Sequence, residues 1–175
     1  MKKSILILVL ATTLAACGEY QQLLKSTDSE LKYTKAVEYF EKKDFMRATT
    51  LFDEVSRYFR GTERSEDVLN YLASSYMGQK DYFSASEYYS TYVKTYPKGK
   101  YITTARFMIG YCYYLDSPDA RLDQQATRDA LTSFQAILDL PPDNKREPAV
   151  HKLMEELTVT LAYKESLNAR LYSNP

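Results

Sequence analysis

Three tyrosines, Tyr39, Tyr76 and Tyr113, stand 37 residues apart, and the residues around them recur with them. A small side chain precedes each by three positions: Ala36, Ala73 and Gly110. Nine residues after the first two come Ala48 and Ala85, followed at fixed steps by Phe52 and Tyr89, then by Val55 and Tyr92. The third copy keeps the order but has extra residues ahead of its second half, which reads Ala130, Phe134, Ile137. A constant period of this length marks a solenoid, in which one unit cannot bury its apolar face alone and stacks on the next. The small positions let two backbones approach, and the ring fills the groove beside them. The repeated Ala, Gly, Tyr and Phe positions are therefore expected to serve packing before anything else.

Breakers divide each copy in two. Lys42-Lys43-Asp44 and Gln79-Lys80-Asp81 interrupt the apolar period inside the first two copies, and Arg60-Gly61-Thr62 and Pro97-Lys98-Gly99 separate one copy from the next. Pro142 closes the third. No segment alternates apolar and polar residues in the manner of a strand, so the chain reads as all-α, helix following helix. The pattern resembles the tetratricopeptide repeat, a pair of antiparallel helices meeting through small residues. That resemblance implies a right-handed superhelix with repeats at about 29–62, 66–99 and 103–142, then the first helices of a further, incomplete part within a domain of 31–175. The period exceeds the common one of about 34 residues, and no Trp occurs at the aromatic position near the start of the first helix.

The first sixteen residues have another character. Lys2-Lys3 precede an apolar run from Ile5 to Ala11 that is short for a bilayer span and reads as a signal peptide. The run ends in Leu14-Ala15-Ala16-Cys17-Gly18, which resembles the bacterial lipobox and implies a lipid on Cys17 once residues 1–16 are removed. Several acyl chains, each contributing about 0.8 kcal/mol per buried methylene, make such anchoring durable. The residue after Cys17 is Gly18, and the absence of aspartate there favours the outer over the inner membrane. Residues 17–30 are polar and weakly periodic, as expected of a lipidated tether. Cys112 is expected as a small buried apolar residue and is not expected to pair with Cys17.

Composition excludes several function classes. Lys plus Arg and Asp plus Glu are equal at 23 each, and loss of Lys2 and Lys3 leaves a net charge of about −2 without any basic stripe to neutralise phosphates, so no nucleic-acid partner is expected. His151 is the only histidine, and it sits among Pro148, Lys152 and Glu155 without a partner cysteine or a metal-ligand motif. It is expected as a solvated helix residue. Glu155-Glu156 and Asp53-Glu54 are adjacent on helices and do not face one another as a catalytic pair would. No Gly-rich phosphate loop is present. Neither an enzyme site, a metal nor a cofactor is expected, the lipid on Cys17 aside.

A lipobox, immediate Tyr-rich repeats and an insertion in the third repeat together resemble the BamD family, lipoproteins of the outer-membrane β-barrel assembly machinery. The insertion, Ser117-Pro118-Asp119-Ala120-Arg121-Leu122-Asp123-Gln124-Gln125-Ala126-Thr127, carries most of the resemblance. Tyr58-Phe59, Tyr88-Tyr89 and Tyr96-Pro97 add to it, as does Lys164–Tyr172, which is similar to the start of another repeat. The resemblance covers nearly the whole chain. It implies a protein anchored at the outer membrane and facing the periplasm, with a BamA-like barrel insertase, other assembly subunits and unfolded outer-membrane proteins as partners. It also implies about one and a half repeats beyond Pro175, where the insertase contact of the family largely lies.

In a stack of this kind the first helix of each pair lines the concave face. The positions beside the packing residues then give a candidate groove of Tyr33, Phe40, Asn70, Ser74, Met77, Phe107, Tyr111 and Tyr114, and each aromatic among them also suits repeat-to-repeat packing. Such a groove suits an extended segment of an unfolded barrel protein ending in an aromatic residue. The alternative is an envelope lipoprotein scaffold that binds glycan or peptidoglycan-associated partners. The absence of Trp, the ring most used to stack on sugars, argues mildly against it.

Overall fold

A computed structural model describes residues 18–140 and 146–173; the expected signal peptide, Cys17 and the tail of the third repeat at Pro142 lie outside the described residues. Eight helices follow in order: α1 (18–25), α2 (Ser29–Glu41), α3 (Phe45–Ser56), α4 (Ser65–Gly78), α5 (Tyr82–Thr95), α6 (Ile102–Asp116), α7 (Gln125–Leu138) and α8 (Glu147–Ser173). Among the described residues there is no strand. From α2 to α8 each helix packs chiefly on its chain neighbours, which makes the protein an all-α, tetratricopeptide-like solenoid built from the pairs α2/α3, α4/α5 and α6/α7.

The period of 37 has a direct structural meaning. Ala36, Ala48, Ala73, Ala85 and Ala130 are fully buried, and Phe52, Tyr89 and Phe134 fill the space beside them with at most 2% of their surface exposed. Gly110 takes the place of an alanine because a Cβ there would lie 2.7 Å from the ring of Phe134. Tyr39, Tyr76 and Tyr113 are half-buried at the edges of three successive apolar clusters, with Tyr76 stacked on Tyr88 at 5.1 Å. Cys112 is buried, its thiol 3.8 Å from the sulfur of Met77. His151 is exposed on α8.

Reversal within the first two pairs uses the same device twice. The N–H of Asp44 donates to Tyr39 O (2.9 Å) and that of Lys43 to Phe40 O (2.9 Å); Asp81 and Lys80 repeat this on Tyr76 O and Met77 O, each at 3.0 Å. This is the Schellman arrangement, which requires a left-handed residue and is usually built with glycine. Here lysines hold it, Lys43 at φ 61° and Lys80 at φ 62°. The aspartate that follows starts the next helix, Asp44 accepting from Arg47 N–H and Asp81 from Ser84 N–H.

The third reversal is longer and has a polar core. Gln124, 2% exposed, donates through Nε2 to Asp119 O (2.9 Å) and Leu122 O (3.2 Å) and accepts from Thr127 Oγ1 (2.7 Å). Thr127 also meets Ser117 Oγ at 2.5 Å. The insertion is thus a fixed turn whose buried polar groups are satisfied internally. Between the second and third pairs, the Tyr92 hydroxyl donates to Glu66 (2.6 Å) and accepts the N–H of Tyr101 (3.0 Å), joining α5 to the start of α4 and of α6. A Cβ on Gly99 would lie 2.4 Å from that hydroxyl, which is why the breaker between repeats is glycine.

Two segments differ from the sequence expectation. Residues 18–25, expected as part of an irregular tether, form α1 and dock on the first pair: Leu23 is buried, Tyr20 meets Tyr39 edge-on at 5.7 Å, and Leu24 packs beside them. The buried Lys32 ammonium joins three elements, donating to Leu24 O at the end of α1 (2.9 Å) and to Glu54 on α3 (2.5 Å). Beyond the third repeat, the expected start of another repeat near Lys164 is the continuation of one 27-residue helix, α8. No glycine or proline interrupts residues 149–173, so nothing in the backbone ends it there.

The left-handed lysines are strained positions on exposed turns. An L-residue there costs about 1–2 kcal/mol, against roughly 0.5–1 kcal/mol of extra chain entropy for glycine. Lys80→Gly is therefore expected to stabilise the fold by roughly 0.5–1 kcal/mol in urea denaturation; an unchanged or lowered midpoint would contradict the strained turn.

Candidate functional site

Seven of the eight expected groove residues divide between two roles. Tyr33 lies edge-on to Phe52 (6.1 Å) and Phe59 (5.6 Å) under the guanidinium of Arg64 (5.2 Å), inside the first cluster. Phe40 meets Tyr71 at 5.0 Å and Phe45 at 5.6 Å. Ser74 turns inward to the Tyr89 hydroxyl at 3.0 Å, and Met77 packs into the second cluster near Cys112. Asn70 is half-buried on α4. Tyr33, Phe40, Ser74 and Met77 thus spend their side chains on holding pairs together.

Phe107, Tyr111 and Tyr114 are brought together instead. They occur at steps of four and three on α6, and so share one face of the helix. Phe107 and Tyr111 stack at 5.8 Å with their planes 17° apart; Tyr111 and Tyr114 stack at 5.8 Å and 12°. The run is half-buried and backed by Phe134, 6.1 Å from Phe107. A charge marks each end. Arg146 lies over Phe107 at 5.5 Å, held by hydrogen bonds to Thr103 O (2.9 Å) and Thr104 Oγ1 (3.0 Å) at the start of α6. At the other end the Tyr114 hydroxyl donates to Glu156 on α8 at 2.5 Å.

The carboxylate beside Tyr114 holds its hydroxyl protonated, raising its pKa from the ordinary tyrosine value chiefly through that hydrogen bond and secondarily through burial. The run therefore presents rings, one neutral bonded hydroxyl, a cation and an anion in a line. Such a surface can stack on flat or aromatic groups and orient a polar chain along the line of charge. Among the described residues, no three His, Cys, Asp or Glu side chains gather as a metal would require.

Arg146 carries no signal in the sequence, and Glu156 stands out there only as half of an adjacent acid pair that cannot act as a catalytic one. Each is 42 or 43 residues from its partner and follows a breaker-rich segment, so no local spacing relates them to α6.

Comparison with known proteins gives one finding. A family model described as YfiO, outer membrane lipoprotein, matches residues 25–174. No curated protein matches the chain. Among the described residues no helix is long and apolar enough to cross a membrane.

The interior behind this face responds to alkali. Burial pushes the Cys112 thiol from 9.0 up to about 12, and burial is likewise the main cause that lifts the Tyr89 hydroxyl from 10.0 to about 12. Both groups stay neutral in the fold while the unfolded chain ionises, so their contribution is intact below the ordinary values and is lost as pH rises through the interval from 9 to 12. The urea midpoint is expected to be level up to about pH 8.5 and to fall by pH 11 by the equivalent of about 4 kcal/mol, roughly two thirds of it from the thiol. A midpoint unchanged at that pH would contradict the buried assignment.

Proposed function

We propose, from the premise that this chain belongs to the YfiO family of outer membrane lipoproteins, that it is a lipid-anchored scaffold of the outer-membrane β-barrel assembly machinery. Cys17 carries the lipid, the repeats face the periplasm, and the scaffold binds unfolded barrel proteins and a BamA-like insertase while catalysing nothing.

The observation that carries this reading is the stacked run Phe107-Tyr111-Tyr114 with Arg146 at one end and Glu156 at the other. Ring centres 5.8 Å apart approach the spacing of about 6.6–7 Å between side chains on one face of an extended strand. A segment that will become a barrel strand alternates apolar and polar side chains at that spacing. Laid along α6, it places every second side chain against a ring and its polar groups toward Arg146, Glu156 and solvent. Phe134 on α7 and the apolar residues of α8 back this face, which limits the entropy lost when a flexible client is captured.

A native pull-down of the mature, tagged protein from gently solubilised outer membranes, read by mass spectrometry, is expected to recover the insertase and unfolded barrel proteins. Tyr111→Ala is expected to keep the insertase and lower client recovery about 2- to 10-fold, the equivalent of the ~0.5–1.5 kcal/mol of an aromatic contact. Recovery of wall-associated proteins in place of the insertase, from protein shown to be folded and acylated, would contradict the proposal.

A further inference from the structure

The helix that follows the lipid site is fixed to the body of the protein. α1 begins at Gly18, one residue after Cys17, and consecutive Cα atoms are about 3.8 Å apart. Leu23 is buried, Tyr20 and Tyr39 are joined edge-on, and the Arg47 guanidinium lies over both rings at 5.1 and 5.5 Å. Lys32 ties the last turn of α1 to α3. A lipid on Cys17 is therefore held against the first pair, and the edge of the molecule at α1 cannot stand far from the bilayer.

At that edge is an open groove of about 380 Å³ lined by Lys35, Lys42 and Arg47, by Glu19, Glu38 and Asp44, and by Tyr39. Its charges are balanced, three of each sign. Lys35 pairs with Glu38 (2.9 Å) and reaches Glu19 (4.0 Å), and Arg47 pairs with Asp44 (3.1 Å), while Lys42 makes no ion pair among the described residues. A groove that carries both signs suits a zwitterion better than an anion. Tyrosines with an adjoining arginine are also the side chains that settle at the boundary between headgroups and water.

We infer that the edge formed by α1, the end of α2 and the α2–α3 turn lies on the bilayer surface and seats zwitterionic phospholipid headgroups, with phosphate toward Lys42 and Arg47 and ammonium toward Glu19 and Glu38. This rests on the acylation of Cys17 proposed above. It makes the anchor a clamp that sets the orientation of the repeats, in contrast to a leash that leaves them free.

The chain contains no Trp, so a single introduced one reports its own surroundings. Glu41→Trp, exposed at the end of α2 and outside the groove lining, and Ala136→Trp, exposed on α7 two repeats away, are placed as acylated mature protein in phosphatidylethanolamine–phosphatidylglycerol vesicles carrying a headgroup nitroxide quencher. The Trp at 41 is expected to lose most of its emission and the one at 136 to keep it. Equal emission at the two positions overturns the inference, as does quenching at 41 that is undiminished in vesicles of phosphatidylglycerol alone. The mass of the N-terminal peptide and co-flotation with vesicles read acylation separately. Unmodified protein that does not float would refute the anchor itself, whereas acylated, floating protein with equal emission would refute only the orientation.

Discussion

Close approach of neighbouring helices at a few residues without bulk is the constraint on which this protein depends. Where Gly110 faces Phe134 the clearance leaves no room for a methyl group, and Ala36, Ala73, Ala48, Ala85 and Ala130 are buried to the same degree. The rings at Phe52, Tyr89 and Phe134 reach their positions only because those backbones are near. Once three pairs stack in this way, the first helix of the third pair is held between α5 and α7, and its three rings keep a fixed spacing while Phe107 and Tyr114 also pack on the third apolar cluster.

The polar groups inside the stack reinforce the same geometry. Tyrosine is used where phenylalanine would fill the space as well, because the hydroxyl finds a partner across an element boundary: Tyr92 with Glu66, Tyr96 with Ser65, Tyr101 with Asp67, Tyr89 with Ser74. Each such bond contributes roughly 0.5–1.5 kcal/mol net, more where the acceptor is charged. Their larger effect is on register, since a helix that slid by one residue would leave a buried hydroxyl unpaired.

Much of the architecture was legible because it is written in short-range spacing. The helix pairs and the turns at Lys42-Lys43-Asp44 and Gln79-Lys80-Asp81 follow from helical periods and breakers within a dozen residues, while the burial of Cys112 follows only from the general preference of unpaired cysteines for the interior. What was not legible depends on distance along the chain. The docking of α1 needs Lys32 and Glu54, 22 residues apart, and the charged ends of the α6 run come from α8 and the turn before it. For the groove residues the limit was rotational. Tyr33 and Phe40 lie on the first helix of their pair just as Phe107 and Tyr111 do, and all four are half-buried, but Tyr33 and Phe40 meet rings from other elements edge-on whereas Phe107 and Tyr111 stack on each other along α6, and only the three-dimensional neighbours reveal that.

Site-specific photocrosslinking in living cells asks whether the rings of α6 receive unfolded barrel proteins, with a photoreactive phenylalanine analogue in place of Tyr111 and, as reference, in place of the exposed Phe83 on α5. Adducts are expected between position 111 and newly exported barrel proteins, at a level well above that from position 83. Equal yields from the two positions, or adducts at 111 confined to wall-associated proteins, would contradict that role of the rings.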